Sequence, residues 1–150
     1  MTLQQLLDRQ ALHDVHLRYS RGIDRKDGPL FRTCWRDDAH LGKAGQPGVQ
    51  GGDKINEGLG HIHRPVYVCT NHTVGNDYFD LHGDVAQTET YGIAHHVFKR
   101  DGVTDAFVMG MRYQDTLTRD GSGWRIQRRE WVADWTTGEG ILPTHRRKQA

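Results

Sequence analysis

Cysteine and long apolar runs are both scarce in this chain. The sequence of 150 residues contains two cysteines, Cys34 and Cys69, too few for the disulfide framework that stabilises many small secreted domains. No apolar run approaches the roughly 20 residues of a membrane-spanning helix, and residues 1–9 lack the basic-then-apolar order of a signal peptide. We therefore predict a cytoplasmic protein with two free thiols and no membrane contact.

An excess of charge of either sign is also absent. The sequence has 20 lysines and arginines against 19 aspartates and glutamates, a formal net charge of +1. Proteins that bind nucleic acid need a basic surface to neutralise phosphates, so this balance argues against a nucleic-acid partner. The length is that of one domain, and we predict a single domain over residues 1–150 with a C-terminal tail from about residue 137.

The amino-terminal residues have the pattern of a long amphipathic helix. Thr2, followed three residues later by Gln5, forms a capping box, and the helix should end before the turn-forming residues 27–29. Apolar side chains recur at every fourth position, which places them on one helix face: Leu3, Leu7, Ala11, Val15, Tyr19 and Ile23, with Leu6 and Leu12 beside them. We predict that this face is buried.

Shorter elements are predicted between the first helix and residue 65. A strand is expected around residues 39–41, and Asp53 is expected to cap a third helix that ends before Pro65. The third helix would carry Ile55 and Leu59 on its apolar face. Pro29 can open a second helix, which we predict to hold Leu30, Phe31, Cys34 and Trp35.

From residue 66 the apolar period changes to two. Three turn signals, at residues 82–83, 101–102 and 120–123, divide the remainder into strands at 66–81, 84–99, 103–118 and 124–135. Strands joined by tight turns are antiparallel, and helices followed by such a meander indicate an α+β fold. The inward row of the first long strand is predicted to be Val66, Val68, Thr70, His72 and Val74.

Four short motifs occur in an order typical of one superfamily: Tyr19-x-x-x-x-Asp24 on the first helix, Trp35-Arg-Asp-Asp-Ala39 after the second, Thr70-Asn-His72 on the first long strand and Trp124-Arg-Ile-Gln-Arg-Arg129 on the last. With them the chain resembles the SnoaL-like branch of the nuclear transport factor 2-like superfamily from about Leu6 to Trp135. That branch includes scytalone dehydratase, bile acid 7α-dehydratase and γ-hexachlorocyclohexane dehydrochlorinase. The resemblance implies a cone-shaped α+β fold, in which amino-terminal helices pack on a strongly curved antiparallel sheet.

The resemblance also implies roles for four residues. His72 matches the family's general base, and Asp24 matches the carboxylate that orients and charges this histidine. Arg129 matches an arginine that lines the same pocket. Tyr19 matches the tyrosine of bile acid dehydratase, where the dehydrochlorinase has a lysine, and this favours an oxygen leaving group, which needs a proton, over a halide. The implied activity is a cofactor-independent, dehydratase-like lyase acting on a mid-sized cyclic or aromatic compound.

The residue types themselves allow this chemistry and also simpler roles. A histidine beside a buried carboxylate can accept a proton because its imidazolium is stabilised, and an arginine and a phenol can hold a developing oxyanion. The histidine and the tyrosine could equally be core residues with satisfied polar groups. Asp24 could pair with Arg21 or Arg25 on its own helix, and Arg129 could lie on a solvated face of its charged segment.

One geometric condition applies to the first helix. Tyr19 and Asp24 are five residues apart, which places them roughly 140° apart around a helix axis. Both can line one pocket only if the end of the helix tilts over the mouth of the cone.

Ten histidines raise the alternative of a metal site. The close pairs are His61-x-His63 and His95-His96; the first pair points apart on a helix, and neighbours on a strand face opposite sides. Neither Cys-x-x-Cys nor His-Glu-x-x-His occurs. We therefore predict no metal and no other cofactor, and we expect one residue of the pair His95-His96 to face the cavity.

Several functions stay open at this point. The same constellation serves dehydration, retro-aldol carbon–carbon cleavage, polyketide-type cyclisation and isomerisation, and the fold also hosts non-catalytic binding or assembly subunits. A small-molecule substrate is the partner predicted for the enzyme. The segment Val108-Met-Gly-Met111 together with Trp131 and Trp135 suggests more apolar surface than one cone should bury, which predicts a homodimer or homotrimer.

Overall fold

The computed structural model describes residues 1–62 and 67–138. Three helices and six strands within these ranges form an α+β fold, as predicted, with the helices amino-terminal to the long strands. Their order along the chain is α1 (Leu3–Asp24), α2 (Gly28–Arg32), β1 (Trp35–Lys43), β2 (Val49–Gln50), α3 (Gly52–Ile62), β3 (Tyr67–His82), β4 (Val85–Arg100), β5 (Val103–Asp120) and β6 (Gly123–Thr137).

The strands form a curved sheet in the order β2-β1-β6-β5-β4-β3. The four long strands β3 to β6 are an antiparallel meander, which confirms the prediction made from the turn signals. β1 extends the sheet by pairing parallel to β6, and β2 pairs antiparallel to β1. The sequence did not predict β2, because a strand of two residues is too short to show a period.

The start of β1 corrects the prediction for the second helix. Trp35 was expected in that helix but opens β1, where it is opposite Ile126 of β6, so the strand is longer than the predicted residues 39–41. α2 is a single short turn capped by Asp27, whose side chain accepts a hydrogen bond from the backbone N–H of Leu30 at 3.0 Å. The side chain of Trp35 is fully buried. The apolar pattern could not assign this residue to the helix or to the strand.

The predicted capping box opens α1. The side chain of Thr2 accepts a hydrogen bond from the backbone N–H of Gln5, and the side chain of Gln5 accepts one from the backbone N–H of Thr2. The predicted apolar face is buried only in the second half of the helix: Leu12, Val15, Tyr19 and Ile23 are buried, whereas Leu3, Leu6 and Leu7 are exposed. Among the described elements, none covers the leucines of the first two turns, so the burial prediction was wrong there.

α3 carries Ile55 and Leu59 into the core, as predicted. The capping prediction for Asp53 was wrong, since this residue lies inside the first turn of the helix. Its carboxylate instead accepts a hydrogen bond from Arg32 Nε at 2.6 Å. This contact ties α3 to α2.

The inward row of β3 differs from the prediction at its start. Thr70, His72 and Val74 alternate inward as expected, but Val68 is exposed, and Val66 lies outside the described residues. The register shifts between Tyr67 and Cys69, and a β-bulge of this kind reverses the side chains on one side of it. Tyr67 is therefore buried in place of Val68.

The core lies between the helices and the concave face of the sheet. Its largest fully buried apolar side chains are Trp35, Phe31, Phe98, Phe107, Leu12, Leu117 and Ile126. Met109 and Met111 belong to this core, which removes them from the surplus apolar surface that the sequence suggested. On the outer face, Trp135 stays half exposed beside Tyr91 and Ile93. Within the described ranges no helix is both long and apolar enough to cross a bilayer.

Candidate active site

The carboxyl end of α1 and the inner row of β3 meet at Asp24 and His72. Asp24 is the last residue of α1, and His72 lies on the inner face of the neighbouring strand. The side chain of His72 is only 6% exposed and that of Asp24 17%. The pair is thus largely removed from bulk water. A charge–charge contact is stronger in such a buried position than in water.

Asp24 receives three hydrogen bonds from β3. His72 Nδ1 lies 2.7 Å from Asp24 Oδ1, the backbone N–H of His72 donates to Oδ2 at 2.8 Å, and Thr70 Oγ1 donates to Oδ1 at 3.0 Å. Burial alone would raise the pKa of Asp24, but the hydrogen bonds from His72 and Thr70 lower it below its ordinary value. Asp24 is therefore ionised at neutral pH, and it contacts the histidine rather than Arg21 or Arg25.

This contact fixes which ring nitrogen of His72 carries the proton. A carboxylate is an acceptor only, so Nδ1 must donate, and in the neutral imidazole the lone pair is then on Nε2. A proton taken up at Nε2 gives an imidazolium beside the Asp24 carboxylate, which stabilises it. Chemically, the arrangement allows Nε2 to accept a proton while the carboxylate orients the ring.

His96 is the residue of the histidine pair that faces inward. It is buried, and its ring centroid lies 5.6 Å from that of His72 at an angle of 84°. The rings of Tyr67 and Phe107 lie 5.6 Å and 6.0 Å from that of His96. The sequence predicted that one member of the pair would face the cavity; the alternation of β4 selects His96.

Tyr19 and Arg129 meet elsewhere on the concave face. Tyr19 packs against Phe31, Trp35 and Tyr113, with ring centroids 5.1 to 5.8 Å apart. The guanidinium carbon of Arg129 lies 4.1 Å from the centre of the Tyr19 ring. Arg129 is fully buried, so its alternative interpretation as a solvated surface charge was wrong.

Two further residues, Asp115 and His16, hold Arg129 in the core. Arg129 donates from Nε to Asp115 Oδ1 at 2.8 Å and from Nη2 to Asp115 Oδ2 at 2.5 Å. Nη2 also lies 2.8 Å from His16 Nδ1. Burial disfavours the charge of Arg129, but the Asp115 carboxylate raises the pKa of the guanidinium overall. Asp115 itself has a raised pKa because it is buried, an effect that Arg129 opposes.

A SnoaL-like domain model matches residues 4–130 of this chain. The chain belongs to the SnoaL-like family. This assignment confirms the resemblance found in the sequence motifs and agrees with the nuclear transport factor 2-like architecture of the curved sheet.

Relatives of this SnoaL-like protein were found by sequence and by structure. Rv2910c of Mycobacterium tuberculosis, a protein of uncharacterised function, is 27% identical over 132 residues, which cover 86% of this chain and 87% of that protein. A scytalone dehydratase-like protein from Novosphingobium aromaticivorans has a TM-score of 0.82 at 21% identity, covering 100% of this chain and 99% of the other. The hexachlorocyclohexane dehydrochlorinase LinA-type3 from Novosphingobium barchaimii has a TM-score of 0.79 at 16% identity, covering 94% and 98%. At these identities the two structures show a shared fold.

The four residues singled out in the sequence of this SnoaL-like protein form two pairs. His72 contacts Asp24, and Tyr19 contacts Arg129, but within the described ranges no hydrogen bond joins one pair to the other. The separation follows from α1, since side chains five residues apart leave a helix in different directions. Asp24 points to β3, and Tyr19 points to Tyr113 of β5.

Sequence reasoning missed Asp115 and His16. Asp115 lies in the inward row of β5 between the core residues Tyr113 and Leu117, so a charge at an apolar position was the available signal. His16 follows the buried Val15 on α1, but it is displaced from the spacing of four that defined the apolar face. The charge at residue 115 should therefore have predicted a buried basic partner.

Among the residues that the structure describes, no group of three or more histidine, cysteine or acidic side chains is placed to hold a metal ion. The side chains of His61 and His63 lie outside these residues, so the prediction that this pair binds no metal stays a prediction. Both cysteines are free thiols, Cys34 buried and Cys69 exposed.

Proposed function

We propose that this SnoaL-like protein is a cofactor-independent lyase that removes water from a mid-sized cyclic or aromatic compound. The observation that carries the proposal is the contact between His72 and Asp24, in which one carboxylate accepts hydrogen bonds from both the ring and the backbone of the same histidine. The geometry leaves Nε2 as the basic atom. The chemistry is proton transfer, for which these side chains are sufficient.

The elimination begins with proton abstraction. His72 Nε2 takes a proton from a carbon next to the one that carries the leaving hydroxyl, and the electrons of the broken C–H bond form the new double bond. The C–O bond breaks, and the oxygen leaves as water after it has received a proton. Asp24 stabilises the imidazolium during this step, and the proton on His72 is released to solvent afterwards.

Tyr19 is the proposed donor to the leaving oxygen. Burial raises the pKa of Tyr19, and the charge of Arg129 lowers it only in part. The phenol is therefore protonated at neutral pH and can donate a hydrogen bond to the departing group. Halide departure would need no such donor, which favours an oxygen leaving group.

The surroundings of His72 support a flat, partly apolar substrate. The ring of His96 lies next to that of His72, and the rings of Tyr67 and Phe107 pack against His96. Aromatic rings bind one another in offset or edge-to-face contacts. His96 is a second candidate for contact with substrate, since its ring is the neighbour of the proposed base. The names of two structural neighbours, a scytalone dehydratase-like protein and a hexachlorocyclohexane dehydrochlorinase, both describe eliminations from ring compounds.

A panel of ring compounds with an alcohol β to an acidic C–H tests the proposal. Incubation with the protein should yield a product that has lost one water, detected by mass spectrometry, and His72→Ala should slow its formation by at least about 100-fold. Retro-aldol cleavage would instead give two fragments, and cyclisation or isomerisation would give a rearranged product of unchanged mass. A compound that binds without any turnover would favour the non-catalytic alternative and overturn the proposal.

A further inference from the structure

The guanidinium of Arg129 lies in a corner formed by two tyrosine rings. Its central carbon is 4.1 Å from the centre of the Tyr19 ring and 4.0 Å from that of Tyr113. Two rings on opposite faces of the guanidinium would be about 8 Å apart, the sum of these distances. The rings are instead 5.4 Å apart and inclined at 71°, so they form adjacent walls against the same cation.

The other edge of the guanidinium is fixed by ionic and polar contacts. Asp115 accepts two hydrogen bonds from it, from Nε and Nη2, which is the bidentate geometry that best orients an arginine. Burial and the charge of Arg129 hold the pKa of His16 well below its usual range. His16 is therefore neutral, and its Nδ1 accepts from Arg129 Nη2. These contacts fix the orientation of the guanidinium through Nε and Nη2, while Nη1 is buried and has no hydrogen-bond partner among the described residues.

The position of Arg129 against the Tyr19 ring affects the pKa of the Tyr19 hydroxyl. Burial raises the pKa of Tyr19, and the charge of the Arg129 guanidinium against its ring opposes that rise. The cation beside the ring makes loss of the phenol proton easier, because it stabilises the phenolate.

We propose that Arg129, fixed by Asp115 and His16, is a positioning residue that acts on the reaction through Tyr19 and does not touch the substrate. The inference rests on the proposed function. It departs from the role that the family resemblance implied, in which the arginine lines the pocket. The departure follows from burial: Arg129 is 0% exposed whereas Tyr19 is 6% exposed, and a substrate can contact only groups that it can reach.

The path of the Tyr19 proton explains how Arg129 would assist the reaction. As the C–O bond breaks, the Tyr19 proton moves to the leaving oxygen, and a phenolate forms beside the Arg129 guanidinium. The guanidinium charge stabilises this phenolate without any rearrangement, because Asp115 has already fixed it. Solvent protons restore the phenol after the product has left.

The experiment is a titration of Tyr19 that requires no substrate. Protein containing 3-fluorotyrosine, whose phenol ionises at a lower pH than tyrosine, is followed by fluorine NMR, and Tyr19→Phe assigns the signal. Arg129→Met should raise the pKa of Tyr19, because a stabilising cation is lost. Asp115→Asn should lower it, because the Asp115 charge raises the pKa of Tyr19. Tyr113→Phe should raise it, because the Tyr113 hydroxyl helps to lower the pKa of Tyr19.

The pKa of Tyr19 should shift in opposite directions in Arg129→Met and Asp115→Asn. A purely structural role of the two residues would not produce shifts of opposite sign. Arg112→Met is the matched control, since Arg112 precedes Tyr113 on the same strand but pairs with Asp134 on the outer face; it should leave the titration unchanged. If Arg129→Met does not fold, Asp115→Asn and Tyr113→Phe carry the test through their opposite signs. An unchanged Tyr19 titration in the folded variants would overturn the proposal.

A second measurement uses turnover of an identified substrate. Tyr19→Phe combined with Arg129→Lys should lower kcat by no more than the larger of the two single losses. Both changes impair the same step, proton donation by Tyr19 to the leaving oxygen. A combined loss equal to the product of the two would mean that Arg129 contacts the substrate directly, and would overturn the inference. Absence of any elimination activity would overturn the proposed function alone, because the titration does not depend on it.

Discussion

Replacing Asp24 by asparagine separates the charge of the carboxylate from its shape. The amide is nearly isosteric and can still accept from the Nδ1–H of His72, which lies 2.7 Å from the carboxylate. What is lost is the charged partner of the imidazolium, together with the hydrogen bond that Oδ2 accepts from the backbone N–H of His72, since an amide NH2 cannot accept it. A hydrogen bond to a charged group contributes about 1.5–3 kcal/mol, so kcat should fall by about 10- to 150-fold.

The companion variant His72→Ala removes the base itself and should lower kcat by at least about 100-fold. The double variant should be little slower than His72→Ala, because Asp24 acts on the reaction only through the histidine. Initial rates of water loss are measured for each variant, after circular dichroism has shown that it is folded. The matched control is Asp80→Asn, since Asp80 lies 3.1 Å from His82 in an exposed pair on the same strand; it should leave kcat unchanged.

Two results would refute this reasoning. Folded His72→Ala with near-wild-type turnover would mean that the histidine is only a buried, hydrogen-bonded core residue. Multiplicative losses in the double variant would mean that Asp24 contributes independently, for example by binding the substrate.

Four further predictions concern the rest of the chain. Prolonged treatment with a chelator should leave circular dichroism and turnover unchanged; loss of activity that zinc or iron restores would contradict the cofactor-independent proposal. The half-exposed Trp135 should be covered by another copy, so sizing chromatography should give a dimer or trimer, and a monomer at micromolar concentration would contradict this. Burial raises the pKa of Cys34 to about 11, so iodoacetamide should label Cys69 within minutes and Cys34 only in unfolded protein, as read by mass spectrometry. Hydrogen bonds from the backbone of Ser122 and from Arg125 hold the pKa of Asp120 at about 2, below its ordinary 3.8. The ionised carboxylate therefore stabilises the fold, and the Tm of wild type should exceed that of Asp120→Asn by its full amount above pH 3.8. This difference in Tm should vanish as the pH falls through about 2.

The order of elements in this fold could be predicted because its signals are local. The capping box at Thr2 and the glycine-containing turns marked the ends of α1 and of the long strands, and both kinds of signal need only a few neighbouring residues. β1 was predicted too short for the opposite reason. Its first residue, Trp35, is held by Ile126, a partner that no local pattern reveals.

The candidate site was predictable to a similar degree. His72 and Asp24 were identified as partners through the family resemblance, and they lie in contact. The surroundings of Arg129 could not be inferred, because its charged neighbours along β6 suggested a surface strand. Its position in the core depends on Asp115, which is directly opposite it on β5. The register of two strands decides which of their residues are opposite each other. A bulge between Thr116 and Leu117 shifts the register next to this pair.

The parallel pairing of β1 with β6 also has a consequence for the order in which the chain can fold. Trp35 and Ile126 are 91 positions apart (126 minus 35), and contacts of such long sequence separation form slowly because a large loop must close first. During synthesis, β1 leaves the ribosome long before β6 exists. Until Gly123 to Thr137 has been made, the edge of β1 that later pairs with β6 has no strand to bind, and such an edge is open to association with other chains. Of the long-range contacts described here, this one must therefore form among the last.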